Sequence, residues 1–146
     1  MNDLHPSFWA ALAGWFLAQS IKMISCFIRS GKLDFSYLLS TGGMPSAHSA
    51  MACSLATSIG IHEGFSSVSF TIVAAFAAIV MFDAQSVRKA AGEQAKILNQ
   101  ILDELLHEHH LSETKLKELL GHTRLEVLGG LFCGIVAAHI CRFFVY

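Results

Sequence analysis

The sequence predicts an all-α integral membrane protein: a helical bundle with about four spans plus an amphipathic helical hairpin outside the lipid. Three observations predict it. Of 146 residues, 53% are hydrophobic and only 14% charged, against about 25% charged in ordinary soluble domains. The hydrophobic residues are gathered into four runs rather than spread at amphipathic spacing. The only strongly polar region, residues 88–124, is a single block between the third and fourth runs. A chain of this length reads as one domain, 1–146, with 88–124 as an insertion.

The first run, Phe8 to Ile28, is 21 residues long and is interrupted only by Gln19, Ser20, Lys22 and Ser25. A helix needs about 20 residues to cross about 30 Å of hydrocarbon, so this run fits one span. The second, Pro45 to Ile61, is shorter and rich in Ala and Ser, and must tilt or start below the interface. The third, Ser67 to Phe82, is nearly free of polar groups, and the fourth, Leu125 to Tyr146, holds "GGLFCGIVAAHI". Small residues in the second and fourth runs suit close helix approach in lipid.

In the polar block, Ala91, Ala95, Leu98, Leu102 and Leu105 recur at steps of four and three, the pattern of an amphipathic helix, with Lys96, Asn99, Asp103 and Glu104 on its outer face. "SETKLKELLG" follows as a second short helix, with Ser112 as N-cap and Gly121 as stop. The leucine stripe suits an interfacial or subunit-packing face, which makes a homodimer an expectation. His107, His109 and His110 lack a clear fourth ligand and suit a helix C-terminus, so no metal is assigned.

Cys26, Cys53, Cys133 and Cys141 lie in apolar runs without CxxC spacing and read as reduced, small hydrophobes. "MNDLHPS" has no basic n-region, so the first run is expected to be a permanent span. A net charge of −1 and the absence of a basic patch with interleaved aromatics leave no case for nucleic acid.

Lys and Arg set the orientation. Arg29 and Lys32 follow the first span; Arg88, Lys89, Lys96, Lys115, Lys117 and Arg124 follow the third; only Arg142 falls on the other side. Both basic loops are therefore expected in the cytoplasm and both termini outside. Lys22, Arg29, His48, Arg88, His122 and Glu126 all then fall at the cytoplasmic ends of spans. Asp83 lies at that depth too, within range of Lys22 or Arg88, and is given no catalytic role.

Each of these residues has a chemical reason to be there. Lys22 and Arg29 are two helical turns apart and share a face; a lysine this deep in a span calls for an anionic partner. In "GGMPSAH", Gly42 and Gly43 permit a sharp turn and Pro45 suits the first helical position. The free N–H groups of that helix start, with the Ser46 hydroxyl, form an anion cradle. His48 sits one turn in, where a bound phosphate would make it a usable general acid. His122 and Glu126 are four apart, so the carboxylate can hold one ring nitrogen and leave the other free to attack. Arg88 adds a second guanidinium clamp on phosphate oxygens.

The set Lys22-(six residues)-Arg29, Pro45-Ser46-Ala47-His48, an arginine, and His122-(three residues)-Glu126 resembles the signature K-x6-RP, PSGH, SR-x5-H-x3-D of the type-2 phosphatidic acid phosphatases and vanadium haloperoxidases. The stretch "GGMPSAHSA … VMFDAQSVRKAAGEQA … LGHTRLEVLGG" is more similar still to the divergent membrane branch of that superfamily. The resemblance implies a cofactor-free hydrolase acting on a membrane lipid phosphate such as phosphatidic acid, phosphatidylglycerophosphate or a polyprenyl (di)phosphate. It implies phosphate binding by Lys22, Arg29, Ser46, Gly43 and Arg88, acid catalysis by His48, and a phosphohistidine on His122 supported by Glu126. Ser30, Ala47 and Glu126 stand where the signature has Pro, Gly and Asp, and Arg88 is 34 positions from His122 rather than six. Arg124 is the alternative third clamp. The alternative function is a lipid-phosphate binder or transporter that holds the headgroup without cleaving it. A haloperoxidase is disfavoured, because those relatives are soluble and this chain is mostly span.

Overall fold

The computed structural model describes residues 4–31, 43–106 and 122–145. They form α1 (Pro6–Ser30), α2 (Ala47–Glu63), α3 (Val68–Gln85), α4 (Val87–Leu106) and α5 (Arg124–Val145), with no strand among the described residues. The helix starts follow capping chemistry. The His5 side chain accepts from Ser7 N before Pro6 opens α1, and the Ser46 and Ser67 hydroxyls accept from Ser49 N and Phe70 N at the heads of α2 and α3. Gly31 ends α1 at φ 65°, a left-handed cap that glycine adopts without strain.

α2 lies at the centre, packed against α1, α3 and α5, while α1 also packs on α5. Ser58 Oγ donates to Ser7 Oγ at 3.0 Å and Ser54 Oγ to the Ala10 carbonyl at 2.6 Å, so the end of α2 meets the start of α1 and the two run antiparallel. α5 runs parallel to α2: Gly130 lies against Ser46 and Ser49, and Gly134 against Ala50 and Ser54. The end of α1, the starts of α2 and α5, and the end of α3 therefore share one end of the bundle.

The interior is built of small side chains. Ala18, Ala47, Ala50 and Cys133 form one buried cluster, Ala52, Ala56 and Ala77 another, and the largest fully buried side chains are Ser46, Ser49 and Ser54. The large apolar residues point outward: Phe16, Ile72, Phe76, Ile79 and Phe132 are all more than half exposed. Water would penalise this arrangement. Hydrocarbon favours it, since lipid tails solvate Phe and Ile while small residues let helix backbones approach. Pro6–Ile28, Arg124–Phe144 and a run beginning at Val68 are long and apolar enough to cross a membrane. α2, at 17 residues, is the short one, as its sequence predicts.

Two local expectations are corrected. Pro45 is not the first helical residue. Ser46 takes the N-cap position with extended backbone, and the helix begins at Ala47, because the serine hydroxyl supplies the acceptor that the helix start needs. In α4, Asn99 is buried at 6%, not on the outer face, whereas Leu98 and Leu102 are exposed. Among the described elements α4 packs only on α3, so its apolar stripe is left to a surface outside the bundle, as for an interfacial helix. The second helix of the expected hairpin and His107, His109 and His110 lie outside the described residues. The four cysteines are free thiols.

Candidate functional site

The site grows from the start of α5. Thr123 and Glu126 form a reciprocal capping box: Glu126 N donates to Thr123 Oγ1 at 3.3 Å, and Thr123 N donates to Glu126 Oε2 at 3.0 Å. The same Oε2 lies 2.9 Å from His122 Nδ1. A carboxylate can only accept, so against it Nδ1 is the donor, and a ring carrying its one proton there keeps its lone pair on Nε2. His122 is 3% exposed, and among the described residues its Nε2 has no hydrogen-bond partner. A buried ring nitrogen left unsatisfied costs free energy, so something is expected to use it. The "T-R-L-E" spelling of a capping box is a sequence signal that reading Glu126 only as a histidine partner passes over.

Two backbone bonds fix this corner against its neighbours. His122 N donates to the Ala84 carbonyl near the end of α3 at 3.0 Å, and Ser46 N donates to the Glu126 carbonyl at 2.9 Å. The second bond ties the head of α2 to the first turn of α5. Neither carbonyl is visible as a motif, since any side chain could sit on it.

Lys22 comes in from α1. It is 4% exposed and, among the described residues, makes no hydrogen bond or ion pair, yet it lies near enough to Glu126 for their charges to interact. It also lines a groove of about 810 Å³ between α1 and α5. Gly43, at φ 90°, and Pro45 close that groove beside Lys22. His122 and Glu126 are not among its lining residues; the groove meets the site at Lys22.

The structure thus brings together Lys22, Gly43, Ser46, His122 and Glu126. Ser46 is fully buried, and its hydroxyl is engaged: it accepts from Ser49 N at 3.4 Å and from Ser49 Oγ at 3.1 Å. Its local part is to cap α2 and hold Glu126. His48 is exposed, one and two turns before Ala52 and Ala56 on the α2 face that packs on α3, and is not hydrogen-bonded to His122. Arg29 falls in the last turn of α1 and Arg88 in the first turn of α4, both at this end by backbone position. Arg124 is exposed at the first position of α5.

The pattern that defines the divergent PAP2 family matches residues 4–137, which span α1 to α4 and most of α5. The chain belongs to that family. It is also 40% identical over 146 residues to the uncharacterized membrane protein YuiD of Bacillus subtilis (strain 168), with 92% of each chain covered. No solved structure matches it. For this divergent PAP2 protein, membrane embedding is thus supported by the relative, the span lengths and the outward-facing apolar residues together.

Proposed function

We propose that this protein hydrolyses a lipid-linked phosphate, without metal, through a phosphohistidine on His122. The observation that carries the proposal is the buried His122 ring, with Nδ1 held by Glu126 and Nε2 without a partner among the described residues, near a buried lysine whose charge interacts with Glu126. In the proposed reaction Nε2 attacks phosphorus and the P–O bond to the lipid breaks. His48, given a rotation of its exposed side chain, protonates the departing oxygen. Water then attacks the P–N bond and releases inorganic phosphate. Glu126 balances the positive charge that the ring gains on attack, and Lys22, with Arg29 and Arg88 from the ends of their helices, stabilises the transferring phosphoryl oxygens. The N–H of Ala47 at the α2 start adds dipolar stabilisation. By the Lys/Arg distribution this end faces the cytoplasm.

The test is phosphate release by the purified protein in liposomes. The substrates are phosphatidic acid, phosphatidylglycerophosphate and polyprenyl mono- and diphosphates, assayed in EDTA beside His122→Ala. Release that survives EDTA and disappears in the variant supports the proposal. Silence across the panel, with both proteins binding the lipids equally, overturns it in favour of a lipid-phosphate binder or transporter. The observation on the side of that second reading is the exposure of His48, the residue that would have to serve as the acid. His122→Gln separates the two, because headgroup binding tolerates glutamine there and nucleophilic attack does not.

A further inference from the structure

From the groove between α1 and α5 we infer a tail-binding site that takes one hydrocarbon chain of a phosphate-bearing lipid from a single leaflet, with Lys22 at its head end. This rests on the lipid-phosphate reading and deepens it, since it says how the lipid enters and which part of the tail is read. At one end the groove is walled by Cys26, Gly43 and Pro45, with Lys22 one turn further in; Ile21, Phe132 and Val136 follow along its length, and it runs out at Leu17 and Ile140. Gly129 and Ile140 are eleven positions apart along α5, about 16 Å at 1.5 Å per residue, or roughly half of a 30 Å hydrocarbon core. The groove therefore matches one leaflet in depth.

Its sides are open. Phe132, Val136 and Ile140 are each between 46% and 65% exposed, so a lipid can slide in from the bilayer without leaving it. Charge selects which lipid. An ammonium in an apolar wall is costly unless an anion meets it; Lys22 feels the Glu126 charge but forms no ion pair with it among the described residues, which leaves room for a second anion. A neutral lipid leaves that cost in place; a phosphate at the head end removes it. Gly129 leaves the neck unfilled, since a side chain there would occupy the space beside Met44 and Pro45. The outward face of α3, with Ile72, Phe76 and Ile79, is equally apolar. No lysine or arginine lies within that helix, so it serves as an internal reference for ordinary lipid contact.

The experiment is photolabelling of the full chain in phosphatidylcholine liposomes. One probe is phosphatidic acid carrying a diazirine midway along one acyl chain; the other is diacylglycerol with the same chain. The expected result is several-fold more label on Ile21, Phe132 and Val136 than on Ile72, Phe76 and Ile79 with the phosphatidic acid probe, and no preference with diacylglycerol. Val136→Trp, which fills the open side, removes the preference, and Phe132→Ala, which widens it, keeps it. Equal labelling of the two faces by phosphatidic acid overturns the inference. So does chain-to-chain cross-linking at the groove, which would mean that a second copy covers it. Loss of label to inorganic phosphate with no groove preference assigns Lys22 to free phosphate and also overturns it. Labelling needs no turnover: groove preference without phosphate release leaves the tail site standing and overturns hydrolysis, and release without groove preference does the reverse.

Discussion

Gly129 and Gly130 are neighbours in α5 with opposite expected responses to alanine. A Cβ at Gly130 would run into the Ser46 carbonyl oxygen and approach Ser49 Cβ to 2.8 Å, where ordinary contact begins at 3.4 Å. Both obstacles belong to α2 and neither can swing aside, so the helices must part by at least the 0.6 Å difference between those distances. The bond from Ser46 N to the Glu126 carbonyl, now 2.9 Å, would stretch to about 3.5 Å, the limit of a hydrogen bond. Overpacking of this kind costs about 1–3 kcal/mol, and the weakened bond about 0.5–1.5 kcal/mol more. At roughly 4 °C per kcal/mol for a chain of this size, Gly130→Ala should lower the melting temperature by roughly 6–18 °C. At Gly129 the nearest atom is Met44 Cε at 3.3 Å, the free end of a flexible chain, so Gly129→Ala should melt close to wild type. The assay is heating in detergent with a thiol-reactive dye that reports exposure of the buried Cys53 and Cys133. Gly130→Ala melting with wild type, or Gly129→Ala falling as far, would refute the close α2–α5 contact as the frame of the site.

The other predictions concern the site itself. Glu126→Gln keeps an acceptor for Thr123 N, so it should melt nearly as wild type. It removes the charge that balances the His122 ring during attack, and phosphate release should drop on the order of 10²–10³-fold; undiminished release would remove Glu126 from the mechanism. Thr123→Ala loses the acceptor for Glu126 N and should cost about 1 kcal/mol of stability, seen as a lower melting temperature, while release persists because the His122–Glu126 bond remains. Lys22→Met replaces a buried lysine, whose charge interacts with Glu126, by an apolar chain of similar length. It should weaken phosphatidic acid photolabelling in the groove; undiminished labelling would remove Lys22 from headgroup recognition. A Cβ added at Gly43 meets no atom of the described residues within 4 Å, so the cost of Gly43→Ala, about 1–2 kcal/mol read as a lower melting temperature, should come from the positive φ.

The all-α membrane bundle was legible in the sequence because lipid demands it. A chain with long apolar runs and little charge can satisfy its backbone in hydrocarbon only by forming helices or a closed barrel, and runs near 20 residues choose helices. The His122–Glu126 pair was legible for a similarly local reason: residues four apart on a helix face one another whatever surrounds them. The amphipathic α4 could also be read from spacing, but which side of it would be covered could not. Asn99 is buried and Leu98 exposed, because that outcome depends on what the helix lies against. The placement of Ser46 and His48 was decided by packing as well. A P-S-x-H string brings serine and histidine close in sequence, yet capping turns Ser46 inward while the helix carries His48 to an exposed position on the side facing α3. The Ala84 and Glu126 carbonyls that fix the site, the isolation of Lys22 and the one-leaflet groove exist only once α1, α2, α3 and α5 are assembled. Sequence spacing governs contacts within a helix; contacts between helices follow from the small-residue seams that let their backbones meet.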